Sequence, residues 1–376
     1  MVNIDGHCDE RFASVRTAFA NNFDFHGDVG ASVAVVWDDE MVVDLWGGHQ
    51  DAAKTQPWER DTIVNVWSTT KTMTALCALI LADRGDLDLH APVATYWPEF
   101  AANDKQFIEV RHLLGHTAGL AGWREPLSIA DLLDWDRSTR ALAAQDVWWE
   151  PGTQSGYHAL TQGHLVGEVV RRVSGKRLGA FFADELAAPL GADFHIGLDD
   201  ANFGRVSNVI APSTPLNGDA EEESLAFRMM SNPIISGDVA NTEAWRRADV
   251  PAANGHGNAR SVARVQSVLS HGGTVDGRRF LSADGCDAVF EQQSSGPDLV
   301  LGIPLTFGMG YGLNSEHTPI GLNPRTCFWG GWGGSLVIND LDSRMTIAYV
   351  MNKMGEGTLG DTRGISVAFA AMTAIA

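Results

Sequence analysis

Strand-like patterning sits at both ends of this 376-residue chain and is nearly missing from its middle. Near the N-terminus, residues 31–37 and 41–46 are rich in β-branched and aromatic side chains and flank Asp38-Asp39-Glu40, which reads as a hairpin. Near the C-terminus, residues 326–338 and 345–351 repeat the pattern around Asp340-Leu341-Asp342-Ser343. Between about Leu87 and Ala253, prolines such as Pro92, Pro126, Pro151, Pro189 and Pro233 break the chain into short helical patterns. Strands need partners, so this distribution predicts one sheet assembled from both termini with a helical part inserted. The expected class is α/β (α+β): an antiparallel sheet flanked by helices, with residues 1–60 and 255–376 forming an α/β domain. Residues 61–254 form the inserted, mostly helical domain. A chain this long exceeds one small core, which suits such a division. Helices are expected at residues 8–22, with Phe12, Val15, Ala18 and Phe19 on one face, and at 161–174, closed by Gly175. Two more are expected at 259–269 and 364–375.

One further helix carries the first candidate chemistry. Residues 73–81 form an apolar run without proline that ends at Gly85, and Ser68 stands where that helix begins. Lys71 follows one turn later on the same face. An alcohol needs a base within hydrogen-bond reach to become a nucleophile. A lysine serves only if burial or nearby positive charge strips its proton. The helix start adds unpaired N–H groups that favour an oxyanion. Taken alone this motif is weak, because serine also caps helices for purely structural reasons. With five lysines and twenty-two serines, chance supplies one S-x-x-K in about one such chain in three.

Two other groups bear on it. Glu150-Pro151-Gly152-Thr153-Gln154-Ser155-Gly156-Tyr157 is a loop ending in one of only four tyrosines. A phenol can donate or accept a proton, although most tyrosines simply pack. Phe328-Trp329-Gly330-Gly331-Trp332-Gly333-Gly334-Ser335 places four glycines in a strand-like run. That costs stability and makes sense where a backbone or a ligand must come close, or where the strand bulges. His112 and His116 have the i, i+4 spacing of paired metal ligands, but no third ligand is evident and Gly115 interrupts the helix, so no metal or other cofactor is expected. No G-x-S-x-G, H-E-x-x-H or glycine-rich phosphate loop occurs.

The net charge of −20 argues against nucleic acid or an anionic membrane as partner. The four cysteines are scattered without a C-x-x-C pair, so no disulfide framework is expected. The opening residues carry neither a positive start nor an apolar run, and no segment has the length of a membrane span. A cytoplasmic setting is the expectation. Residues 211–224, acidic and turn-rich, read as a surface loop.

In this order the three groups resemble the serine β-lactamase and penicillin-binding-protein superfamily, and within it the family VIII carboxylesterases and class C β-lactamases. Ser68-Thr69-Thr70-Lys71 matches S-x-x-K, Tyr157 matches the tyrosine motif, and Trp329-Gly330-Gly331 stands where lactamases carry Lys-Thr-Gly. The phrase from His112 to Leu120 resembles the loop after the first motif, which makes its histidines structural. The similarity covers nearly the whole chain. It implies a β-lactamase/transpeptidase-like fold with Ser68 as the acylated nucleophile and Lys71 and Tyr157 as the acid/base pair. The backbone N–H groups of Ser68 and Trp332 would form the oxyanion hole, and Trp329, Gly330 and Gly331 would border the substrate. Which of Lys71 and Tyr157 is the base stays open, since a coupled pair titrates together.

The departures from the family pattern bear on substrate. Trp329 cannot supply the lysine charge that attracts a drug carboxylate, and Ala159 cannot supply the asparagine amide that ends the lactamase tyrosine motif. Losing designed polar contacts shifts preference strongly. The resemblance therefore implies a carboxylesterase acting on short-chain neutral esters, a small-molecule substrate. The runner-up readings are a β-lactamase, D-peptide hydrolase or acyltransferase using the same site, and then a non-catalytic scaffold. Twelve tryptophans, including Trp123, Trp148, Trp149, Trp329 and Trp332 near motifs, suit an apolar pocket. The oligomeric state is left undetermined.

Overall fold

The computed structural model describes residues 2–213 and 221–376. Part of the loop expected at 211–224 therefore lies outside the described residues. A nine-stranded antiparallel sheet runs in the order Ile4–Cys8, Glu40–Gly48, Gly30–Trp37, Met345–Met351, Leu336–Asp340, Thr326–Gly330, Gly312–Leu313, Pro304–Phe307, Ser294–Pro297. The two chain ends meet between its third and fourth strands, where Met345 pairs with Trp37 and Met351 with Ala31. The expected hairpin turns at Asp38 and Asp39, both with left-handed φ (48° and 72°), which suits a two-residue turn matching the strand twist. The paired helices Ala13–Phe25 and Thr362–Thr373 lie against the sheet, as does Ala259–Ser270, which contacts the three central strands. Burial on both faces explains why Gly30–Trp37 and Met345–Met351 read as continuous apolar runs.

Two stretches differ from what their sequence predicts. Residues 326–338 are not one strand: Gly333 and Gly334 take φ of 89° and 132°, and Gly331 N–H donates to the Ser335 carbonyl at 2.8 Å. The run is thus two strands around a tight turn. The helix expected at 8–22 runs instead over Ala13–Phe25, and Ile4–Cys8, for which no element is predicted, is an edge strand whose three middle residues are exposed, which leaves no apolar alternation to read. Among the described residues, no helix is long and apolar enough to cross a membrane.

A second, three-stranded sheet positions the site. Val64–Asn65 and Phe194–Ile196 both pair with Gly255–Gly257, so the places where the chain enters and leaves its helical part are stitched together. Immediately after this seam comes the helix Thr70–Asp83, buried along nearly its whole length.

Candidate active site

The chain leaves the short strand through Val66, whose N–H donates to the Gly255 carbonyl at 2.8 Å, and then turns sharply at Trp67. Trp67 has a left-handed φ of 49°, which costs an L-residue roughly 1–2 kcal/mol. Packing holds it there: its indole lies 4.9 Å from Trp332 and 5.8 Å from Trp245. The Thr70 hydroxyl adds a second constraint, donating to the Trp67 carbonyl at 2.5 Å and accepting the Gly255 N–H at 2.9 Å. Ser68 is thereby fixed at the first turn of the helix, with its hydroxyl on the wall of a pocket.

Three groups expected to act together do converge. Lys71 Nζ is 3.1 Å from Ser68 Oγ, and the Tyr157 hydroxyl donates to the same oxygen at 2.7 Å. Lys71 is buried, and its Nζ also donates to the carbonyls of Ala159 (2.7 Å) and Ala252 (3.0 Å). Among the described residues no carboxylate pairs with it, and desolvation holds its pKa well below the ordinary lysine range. Burial moves the Tyr157 phenol the other way, above its usual value, outweighing the hydrogen bond it makes to Ser68. The site therefore favours a neutral amine and a neutral phenol on one hydroxyl.

Tyr157 is held from behind. Its N–H donates to the Asp298 carboxylate at 3.0 Å, and that same oxygen accepts the N–H groups of Val300 and Leu301 at 2.9 Å. Its ring packs 5.0 Å from His116 and 5.4 Å from Trp329. His116 Nδ1 accepts the His158 N–H at 3.1 Å, while the His158 ring accepts the Leu120 N–H at 3.0 Å and donates to the Gly156 carbonyl at 2.6 Å. Burial lowers both imidazoles, His158 to about 3, so they stay neutral and serve as braces. His112 accepts the Glu109 N–H at 3.1 Å and caps its own short helix.

The glycine-rich run sits beside Ser68. A Cβ at Gly331 would come within 2.3 Å of Ser335 Oγ, 2.4 Å of the Val66 carbonyl and 3.3 Å of the Ser68 nitrogen, so only glycine permits this approach. Ser335 ties the two segments together, donating to Val66 O at 2.7 Å and sharing a 2.9 Å hydrogen bond with Thr69 Oγ1. Trp332, the next residue after Gly331, borders the pocket, and among the described residues its N–H meets no acceptor. Trp329 is placed differently from a pocket residue. It is buried behind Tyr157 against Phe307 and His116. Gly330 meets the backbone of Leu359 and Gly360, so of this trio only Gly331 approaches Ser68.

The pocket encloses about 600 Å³, counting the part open to solvent. Besides Ser68 and Tyr157 its walls include Trp67, Trp332, Met229, Met230, Ile235, Leu301 and Thr358, and among the described residues no charged side chain lines it. Of the tryptophans expected near it, only Trp332 lines it; Trp123, Trp148 and Trp149 do not. Asp298 and the two methionines went unnoticed in the sequence. A turn aspartate and a Met-Met pair carry no pattern that distinguishes them from ordinary loop and core residues.

Comparison with known proteins agrees with this architecture. The Beta-lactamase family profile matches residues 18–372. Esterase/beta-lactamase LipL of Mycobacterium tuberculosis is 37% identical over 364 residues, spanning 93% of this chain and 83% of LipL. A solved family VIII carboxylesterase superposes with a TM-score of 0.92 at 42% identity, covering 99% of this chain and all (100%) of the other. A penicillin-binding protein homologue from Caulobacter crescentus gives 0.91 at 35% identity, covering 99% and 100%. With the family profile spanning nearly its whole length, this chain is a member of the beta-lactamase family and has its transpeptidase-like fold.

Proposed function

We propose that this protein is a serine carboxylesterase that hydrolyses short-chain neutral esters through an acyl-Ser68 intermediate. The observation that carries this reading is the saturation of Lys71. A neutral amine has two N–H groups and one lone pair. With the amine neutral, as its burial favours, the carbonyls of Ala159 and Ala252 take the two hydrogens and the lone pair is left facing the Ser68 hydroxyl. Tyr157 donates into the same oxygen, so one consistent proton arrangement runs from phenol to serine to amine.

Attack follows from that arrangement. Ser68 passes its proton to Lys71 as its oxygen bonds the ester carbonyl carbon, and the developing oxyanion is held by the N–H groups of Ser68 and Trp332. Tyr157 protonates the departing alkoxide, while the new ammonium nearby stabilises the phenolate and returns its proton. Water then repeats the sequence on the acyl-enzyme. The pocket lining supports the ester preference, since among the described residues it offers no cation to a β-lactam carboxylate. The alternative of β-lactam hydrolysis draws on the similarity to LipL, an esterase/beta-lactamase. Steady-state kinetics on p-nitrophenyl acetate and butyrate against a chromogenic cephalosporin decide between them. A higher kcat/KM for esters is expected, and a higher value for the cephalosporin reverses the assignment.

The acid/base assignment has its own signature. With Lys71 as base, kcat/KM falls toward acid as the amine takes a proton, at a pH well below the ~10.4 of a free lysine. It then stays level through about pH 10, because the raised Tyr157 phenol keeps its proton there. A rate still climbing tenfold per pH unit at about pH 10, after subtraction of uncatalysed hydrolysis, would make the Tyr157 phenolate the base.

A further inference from the structure

The turn Gly331–Ser335 is gripped from two sides, and only the inner grip, Ser335 on Val66 and Thr69, belongs to the nucleophile's own segment. The outer grip comes from Arg363, near the C-terminus. Its Nη2 donates to the Gly333 carbonyl at 2.6 Å and to Asp361 Oδ2 at 2.6 Å. Its Nη1 donates to Asp28 at 2.6 Å and to the Lys353 carbonyl at 2.8 Å, and its Nε donates to Asp361 at 3.0 Å. All five guanidinium N–H groups are therefore used, a pattern no lysine can reproduce. Asp28 is anchored in turn by the Tyr349 hydroxyl at 2.5 Å.

This ion cluster lies in the interior: the side chains of Arg363 and Asp28 are 5% and 0% exposed. Burying such charges costs desolvation energy that well-packed apolar groups would not, so stability alone does not account for it. The glycines of the turn are shaped around it. A Cβ on Gly334 would come within 2.7 Å of both Arg363 Nη2 and Asp361 Oδ2, and one on Gly355 within 2.7 Å of Asp361 Oδ2. Gly333 is held further by its N–H to the Gly357 carbonyl (2.8 Å) and by the Gly355 N–H to its own carbonyl (2.7 Å). The residue before Gly333 is Trp332, whose N–H the proposed reaction places in the oxyanion hole.

We infer that Arg363, clamped by Asp28 and Asp361, is a positioning residue that sets the Trp332 N–H for the oxyanion. The inference rests on the acyl-Ser68 reading and adds to it a requirement on a residue that touches no substrate. A displaced donor weakens the transition state more than the bound ester, so the loss falls on kcat.

The test compares wild type with Arg363→Lys, Arg363→Ala and the milder Asp361→Asn on p-nitrophenyl butyrate, with thermal unfolding of each. Glu168→Gln is the control, because it perturbs a comparable ion cluster with Arg171 and Arg172 away from the pocket. Arg363→Lys is expected to lose roughly 10–100-fold in kcat with KM within about twofold, the scale of a misplaced oxyanion donor. Asp361→Asn is expected to lose about three- to tenfold, and added guanidinium is expected to restore part of the kcat of Arg363→Ala. Glu168→Gln lowers the unfolding temperature while keeping kcat. The inference is overturned if folded Arg363→Lys or Asp361→Asn retains wild-type kcat, or if kcat tracks unfolding temperature equally in Glu168→Gln. Should wild type itself show no ester turnover, it is the acyl-Ser68 reading that fails.

Discussion

Replacing Ser68 with alanine lowers kcat/KM for p-nitrophenyl butyrate by roughly 10⁴-fold or more, the scale seen when a covalent nucleophile is removed. The size follows from the geometry. Lys71 and Tyr157 both direct their polar atoms at the Ser68 oxygen, so without it neither has a nucleophile to act upon. Folding should be little affected. Ser68 does not cap its helix, and the turn before it is held by Thr70, by Trp67 between its two tryptophan neighbours, and by Ser335 on Val66. Unfolding temperature and kcat/KM are the paired measurements, and turnover equal to wild type would remove Ser68 from the chemistry.

Lys71→Met has the second-largest expected effect, at least about 100-fold in kcat, the usual scale for an acid–base group. Methionine keeps most of the side-chain volume and removes the amine. The change in stability separates two physical terms. Relief of the buried amine favours the variant, whereas the carbonyls of Ala159 and Ala252 lose their donor, at roughly 1 kcal/mol each by the ordinary worth of such bonds. Near-cancellation is expected: a catalytically crippled protein whose unfolding temperature stays within a few degrees of wild type. A large stability loss with intact kcat would instead make Lys71 a structural brace.

These residues were legible in the sequence because each belongs to a local phrase. Ser68 and Lys71 are one helical turn apart, Tyr157 closes a Pro-Gly loop, and the helix Thr161–Ser174 ends at Gly175, which takes the left-handed φ of 73°. Local periodicity also exposed the hairpin ending at Asp38 and Asp39. What escaped was set by long-range contacts. The strands between Ser294 and Leu313 are short and irregular, and Pro304 and Gly312 hide them from a period-two pattern. Asp298 acquires its role only when its loop reaches Tyr157, 141 positions away. Arg363 meets Asp28 across 335 positions, a pairing that no spacing rule reveals.

The glycine-rich run shows how a correct reading can still be incomplete. Its composition announced a close approach, and the structure shows four separate ones. Gly331 faces Ser68, Gly330 faces Leu359 and Gly360, Gly333 faces Met354, and Gly334 faces Arg363 and Asp361. The tryptophan in the middle of this turn borders the pocket, and the one at its start supports the tyrosine from behind. Sequence alone could not tell which of two neighbouring indoles borders the pocket, because the intervening glycines turn the chain through conformations that no period describes.

On this mechanism one serine oxygen, flanked by a deprotonated amine and a protonated phenol, becomes covalently acylated during turnover. Acid quenching of wild-type protein during hydrolysis of p-nitrophenyl butyrate, followed by peptide mass spectrometry, tests it directly. One butyryl group is expected, carried by the peptide containing Ser68 and absent from Ser68→Ala. A butyryl group on any other residue, or rapid ester turnover with Ser68 never modified, would contradict it.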